Sequence, residues 1–270
     1  MKSVFRFIDF LGFVNLVQNK KLVFVKPDLW DDPFENYFFK KLETRKGQEE
    51  IYDIMKGLGV EKIHEKIINL CCAKNSVFGQ SWSLISESDA LWRIYGKNNH
   101  CIRIEVDLKK IEDISKRNKS FWYAPVKYRD NISLENEILK ILKKDEINDF
   151  CVKGLVVKRA SFSHEKEFRL FYSEKEEVSN YMNSIFSNEI EKIKSGDFDN
   201  DYFYSLLEKI NKIPVSIDEI KKVSIPEPSE FISSVILHPK AEDWVDKTVR
   251  DYCKINNINY LGKSKLYDFE

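Results

Sequence analysis

The chain has 270 residues, of which 43% are hydrophobic and 13% aromatic, and its 44 basic and 44 acidic side chains cancel. Such a composition buries a sizeable core, and a net charge near zero gives no global field toward nucleic acid or anionic membranes. No apolar run reaches the roughly 20 residues needed to span a bilayer, the charged start of the chain makes a poor signal peptide, and five scattered cysteines and four dispersed histidines fit neither a disulfide framework nor a zinc site.

Residues 3–10 alternate and read as a short strand, with Val4, Arg6 and Ile8 opposed to Phe5, Phe7 and Asp9. Residues 10–19 carry apolar side chains at helical spacing. Residues 22–25 read as a strand that Pro27 stops. An acidic loop follows, Asp31-Asp32-Pro33-Phe34-Glu35. Residues 47–72 read as one or two amphipathic helices interrupted at Gly57-Leu58-Gly59, and 77–84 as a strand. Ser86-Glu87-Ser88-Asp89 is a helix start, because a serine oxygen accepts an orphan amide hydrogen there. That helix runs through Trp92 to Tyr95 and ends near Gly96. Residues 101–108 and 121–128 read as strands, and 133–151 as a helix. Two strands at 155–158 and 165–172 are joined by a short polar turn. Residues 176–210 are mostly helical, with a break at Ser195-Gly196-Asp197. Strands at 220–225 and 232–237, a helix at 240–254 and a strand at 258–261 complete the chain. Clustered strands with helices between and after them predict an α+β protein. We expect a single domain over 1–270, with mostly helical insertions near 47–72, 133–151 and 176–212.

The segment 165–172 carries the strongest chemical signal. As a strand it places Glu165, Glu167, Arg169 and Phe171 on one face, and Lys166, Phe168, Leu170 and Tyr172 on the other. Phe168, Leu170 and Tyr172 then enter the core. Adjacent carboxylates raise one another's pKa and a nearby arginine lowers them. The same pattern also describes a solvated strand face with an ordinary Glu–Arg pair. Ser81 and Ser83 share a strand face opposite Trp82, where paired hydroxyls can orient carboxylates or an amide. Arg6, between two aromatic neighbours, suits phosphate or pyrophosphate if it points into a cleft, and water if it lies at an edge. The acids of residues 31–35 either hold a divalent cation or cap a turn. Leu91 and Tyr95 lie one helical turn apart and read as core, while Trp92 either lines a cleft or packs. Cys71 and Cys72 read as buried, His164 as exposed. No Gly-rich phosphate loop, H-E-x-x-H or G-x-S-x-G is present.

Taken in order, Phe5-Arg6-Phe7, Asp31-Asp32-Pro33-Phe34-Glu35, Ser81-Trp82-Ser83 with Trp92 to Tyr95, Val126-Lys127-Tyr128, Glu165 to Leu170 and Val235-Ile236-Leu237 resemble a bacterial family of unknown function. The chain departs from that pattern at Asp31, where Asn is usual, and at His238, where Gly is usual. The order Arg6, Ser81/Ser83, Glu165-Lys166-Glu167 is also similar to the R-S-E signature of ADP-ribosyltransferases. That resemblance implies a split sheet and NAD as substrate. It implies Glu167 as the catalytic acid and Glu165 as the group that orients the nucleophile. Arg6, Ser81, Ser83, Trp92, Tyr95 and Arg169 form the expected cofactor-binding set, with no metal ligand. The implied acceptor is protein or nucleic acid, in a cytoplasmic toxin or anti-phage effector with a possible partner protein and no membrane partner. Two other readings stand beside it: a non-enzymatic sensor or interaction module of a defence system, and a metal-dependent nuclease using Asp31, Asp32, Glu35 and the Glu165/Glu167 pair.

Overall fold

Alternation makes β1 (Ser3–Asp9) a strand with two buried faces, Val4 on one and Phe5 and Phe7 on the other. Its last residue, Asp9, accepts a 2.6 Å hydrogen bond from the Gly12 amide and so starts α1 (Phe10–Asn19). Phe13, Leu16 and Val17 hold that helix against the core, and Lys20, in a left-handed conformation at φ 53°, ends it. β2 (Lys21–Val25) follows at once. In this computed structural model, residues 2–30, 37–73, 76–96, 98–130, 153–213 and 220–268 are described. The expected helix at 133–151 and the acidic loop at 31–35 lie outside them.

The other strands of the main sheet are β3 (Val77–Ser83), β4 (Cys101–Asp107), β5 (Phe121–Pro125), β8 (Glu167–Ser173), β9 (Ile220–Ser224), β10 (Ser234–Leu237) and β11 (Tyr260–Lys263). Their order is β11-β10-β4-β1-β3-β2-β9, with β8 also on β3 and β5 on β8. All pairs are antiparallel except β10 with β11. β6 (Lys127–Arg129) and β7 (Val157–Arg159) form a small parallel pair of their own.

A strand has only two edges, yet β3 has three neighbours. β8 covers one edge along all seven residues. β1 and β2 share the other edge, and each touches it by a single pair, Phe5 with Ser83 and Val25 with Gly79. The sheet therefore forks: β1 leaves with β4, and β2 leaves with β9. Where β2 has parted from β3, the Gln80 side chain reaches across and donates to the Val23 carbonyl at 2.7 Å. The indole of Trp82 in turn donates to Gln80 Oε1 at 2.8 Å.

Helices α1, α6 (Leu108–Arg117) and α10 (Asp243–Ile255) pack on one core with Val4, Trp82, Ile104, Phe168 and Leu170. A second core gathers α3 (Arg45–Gly57), α4 (Ile63–Ala73), α7 (Lys175–Ser195) and α8 (Asn200–Lys212) around Val77, Val157 and Phe171. Two short helices, α2 (Tyr37–Lys41) and α9 (Pro228–Phe231), join neighbouring elements. α5 (Asp89–Tyr95) is capped by Ser88, whose hydroxyl accepts from the Leu91 amide.

The architecture is α+β with a mixed sheet, as expected. Three local expectations change. The helix α6, started by Asp107 and buried through Ile111 and Ile114, was not anticipated. The single strand expected at 121–128 is two strands in different sheets, parted at Val126. The strand expected from Glu165 begins at Glu167 instead: Ala160–Glu165 is a 3₁₀ turn, and Lys166 turns the chain through φ 44°.

Candidate functional site

The fork opens on a cleft of about 780 Å³, within the range of small-molecule sites. β1 supplies Arg6 to Asp9, β2 supplies Val23 and Val25, and β3 supplies Gly79 to Ser81. The rest of the lining includes Trp30, Tyr95, Lys158, Phe162, Glu165 and Glu167. A smaller cavity of about 220 Å³ lies between α4 and α7 and has no comparable gathering of charge.

Four charged side chains meet at the wall of this cleft although almost no water reaches them. Arg169, Glu167, Lys158 and Glu165 are 0%, 4%, 5% and 7% exposed. Lys158 Nζ lies 2.6 Å from Glu167 Oε1 and 3.1 Å from Glu165 Oε2. Arg169 Nε donates to Glu167 Oε2 at 2.5 Å, and its Nη1 donates to the Leu155 carbonyl. Ser81 Oγ stands 3.4 Å from Glu167 Oε2. Buried ions need partners of this quality, because desolvation otherwise outweighs their attraction. The solvated strand face is thus corrected: Glu167, Arg169 and Phe171 are as buried as Phe168 and Leu170 on the other side, while Tyr172 is only partly buried.

The two carboxyls titrate apart. Burial and the neighbouring Glu167 push Glu165 up, to about 8, against the pull of Lys158. Burial acts to raise Glu167 as well, but Arg169, the hydrogen bond from Glu165, and Lys158 outweigh it and hold Glu167 well below the ordinary range. At neutral pH the pair is one carboxylate beside one carboxylic acid.

Local structure fixes these positions. The left-handed turn at Lys166 brings Glu165 back beside Glu167 instead of passing it along a strand. Ser83 holds that turn, donating its hydroxyl to the Glu165 carbonyl at 2.9 Å and accepting from the Ile85 amide. Tyr128 accepts from the Glu167 amide at 2.7 Å. Trp30 lays its ring 4.5 Å from the Arg169 guanidinium. It reaches there because residue 79 is glycine: a Cβ would stand 2.4 Å from Trp30 Cζ2.

Antiparallel partners project to one face. Phe5, Ser83 and Glu167 therefore form a row across β1, β3 and β8. Arg6 belongs to the opposite face, beside Ile104. It lines the cleft all the same, because β1 leaves β3 after Phe5. Burial lowers the Arg6 guanidinium to about 10, with Tyr95 and Asp9 acting the other way.

Of the expected residues, Arg6, Ser81, Tyr95, Glu165 and Glu167 line the cleft. Tyr95 is not core; it is 41% exposed and stacks on Phe7. Leu91 is buried, as expected. Trp92 does not reach the cleft. It is fully buried against Phe7 and His238, with its indole donating to Glu87. Ser83 and Arg169 stand behind the wall and support it. Cys71 and Cys72 are buried, and His164 is exposed at the cleft rim. The acids at 31–35 fall outside the described residues, and among the described ones no group of three or more His, Cys, Asp or Glu could hold a metal ion. No described helix is long and apolar enough to cross a membrane.

Sequence reasoning missed Lys158, Phe162 and Trp30. Lys158 was placed at the end of an expected strand, but nothing in its spacing pairs it with residues 165 and 167.

No curated protein and no solved structure matches the chain. Residues 91–170, which include Tyr95, Lys158, Glu165, Glu167 and Arg169 but neither Arg6 nor Ser81, match the family described as a protein of unknown function (DUF2971).

Proposed function

We propose that the cleft is the active site of an NAD-consuming, ADP-ribosyltransferase-like enzyme. The supporting observation is that Arg6, Ser81 and Glu167 come from β1, β3 and β8, strands adjacent in that order, and line one cleft at the fork of the sheet.

In this reading Arg6 holds the diphosphate of NAD, since a guanidinium pairs well with phosphate oxygens. Glu167 is kept ionised by Arg169 and Lys158 and lies beside the nicotinamide ribose. Its fixed negative charge stabilises the sugar cation that develops as the glycosidic bond breaks, and preorganised charge of this kind is a major catalytic term. Nicotinamide leaves with the bonding electron pair. The acceptor's nucleophilic atom bonds to the same sugar carbon, and its proton passes to Glu165 when that carboxyl is ionised. The acceptor is a protein or nucleic-acid group, in keeping with an effector of a toxin or anti-phage system.

Incubating the protein with labelled NAD and a cell lysate tests this. The expected result is nicotinamide release with label on a macromolecule, and a loss of about 10²–10³-fold in Glu167→Gln, the scale for removing one preorganised stabilising group. Wild-type protein that releases no nicotinamide with lysate present, or a Glu167→Gln variant as active as wild type, refutes the proposal.

A further inference from the structure

Lys158 reaches the carboxyl pair from outside the main sheet. It sits on β7, which pairs with β6 over three residues in a sheet of their own. Its Nζ is 3.1 Å from Glu165 and 2.6 Å from Glu167, and 4.4 Å from the centroid of the Phe162 ring. Two carboxyls and an aromatic face make a cage for an organic cation. All three cage residues also line the cleft. The cage thus holds a cation already, the chain's own ammonium group, at the place beside Glu165 where an incoming nucleophile is to be oriented.

We propose that Glu165, Glu167 and Phe162 form a subsite for alkylammonium or guanidinium groups and that Lys158 is its built-in occupant, so that the enzyme rejects lysine-like and arginine-like acceptors and takes a neutral or anionic nucleophile such as a hydroxyl or a phosphate. The acceptor half of this inference rests on the proposed NAD chemistry; the cation subsite does not. An external cation entering the wild-type cage meets Lys158 at contact distance, and like charges in a poorly hydrated site repel strongly. A neutral hydroxyl pays no such penalty and can donate to Glu165 or accept from Lys158.

The experiment is chemical rescue. Lys158→Ala leaves Glu165 without its cation and Glu167 with Arg169 alone, and agmatine and ethylammonium serve as probes. Rescue is read as melting temperature, or as recovery of soluble folded protein if the variant is too unstable to melt. Either cation should stabilise Lys158→Ala and bind it about tenfold or more tightly than wild type, through binding to the folded state alone. Adding Glu167→Gln, which removes the ionised carboxylate of the cage, to the variant should remove that gain. A Lys158→Ala protein that neither cation stabilises or recovers overturns the subsite. In NAD turnover, agmatine should leave wild-type nicotinamide release unchanged; acceleration with formation of ADP-ribosyl-agmatine overturns the rejection of cationic acceptors. Rescue without any NAD turnover keeps the subsite and removes the proposed enzyme, whereas turnover without rescue does the reverse.

Discussion

Arg169→Met is the most direct test of the buried charge network. Methionine roughly matches the volume of the side chain, so the main loss is charge. In the native protein the guanidinium is fully buried, bonded to Glu167 and to the Leu155 carbonyl, and covered by Trp30. Removing one partner of a buried ion pair costs about 3–5 kcal/mol. Lys158 remains on Glu167 and compensates in part, so we place the loss near the lower end, about 3 kcal/mol. For a chain of this size that lowers the melting temperature by roughly 6–12 °C. Urea unfolding at pH 7 measures it, with Glu167→Gln and the double variant completing a cycle. The double variant should lose less than the sum of the two single losses, because each single change strands the other group. If Arg169→Met costs less than about 1 kcal/mol, or if the two losses simply add, the network does not hold this wall in the way described.

Further outcomes follow from the same wall. Glu165 binds its proton more tightly folded than unfolded, so its contribution is greatest below its ordinary pKa and is lost as pH rises toward about 8. Stability of the wild type should therefore fall across that window, and Glu165→Gln should flatten the fall; a slope identical in both proteins refutes the assignment. Glu167 has the opposite sign: its contribution is present above the ordinary carboxylate pKa and is lost as acid titrates it toward its lowered value. Gly79→Ala places a methyl group into the Trp30 ring and should cost about 1–3 kcal/mol in urea unfolding by overpacking. If that variant is as stable as wild type, Trp30 is not seated on β3 as described.

Much of the frame was legible in the residues. The alternation at Val4 to Asp9 and at Cys101 to Asp107 encodes two strands that do pair along their full length. Ser88 was readable as the kind of residue that starts a helix, and it does so. The spacing of residues 165–172 misled in one respect. A left-handed lysine at 166 carries no side-chain signature, since only glycine and asparagine announce that conformation. Parity then placed Glu165 and Glu167 two residues apart on a flat strand, whereas the turn folds one back beside the other. The burial of Arg169 was hidden for a different reason: it depends on a second helical core behind β8, which local sequence does not specify. The helix α6 did carry a signal, with Asp107 as its cap and Ile111 and Ile114 at helical spacing. The fork itself is a property of two strands, β1 and β2, sharing one edge of β3, and no single segment encodes it.

β1 and β2 are consecutive strands joined by α1, a rod of ten residues about 15 Å long. That side of the cleft behaves as a fixed jaw, with Phe13, Leu16 and Val17 anchoring the rod in the core. Another part of the lining comes from a single 3₁₀ segment, Ala160–Glu165, slung between a three-residue strand and the turn at Lys166. Adjustment to a bound molecule is therefore concentrated on the side that carries Phe162, Glu165 and Lys158.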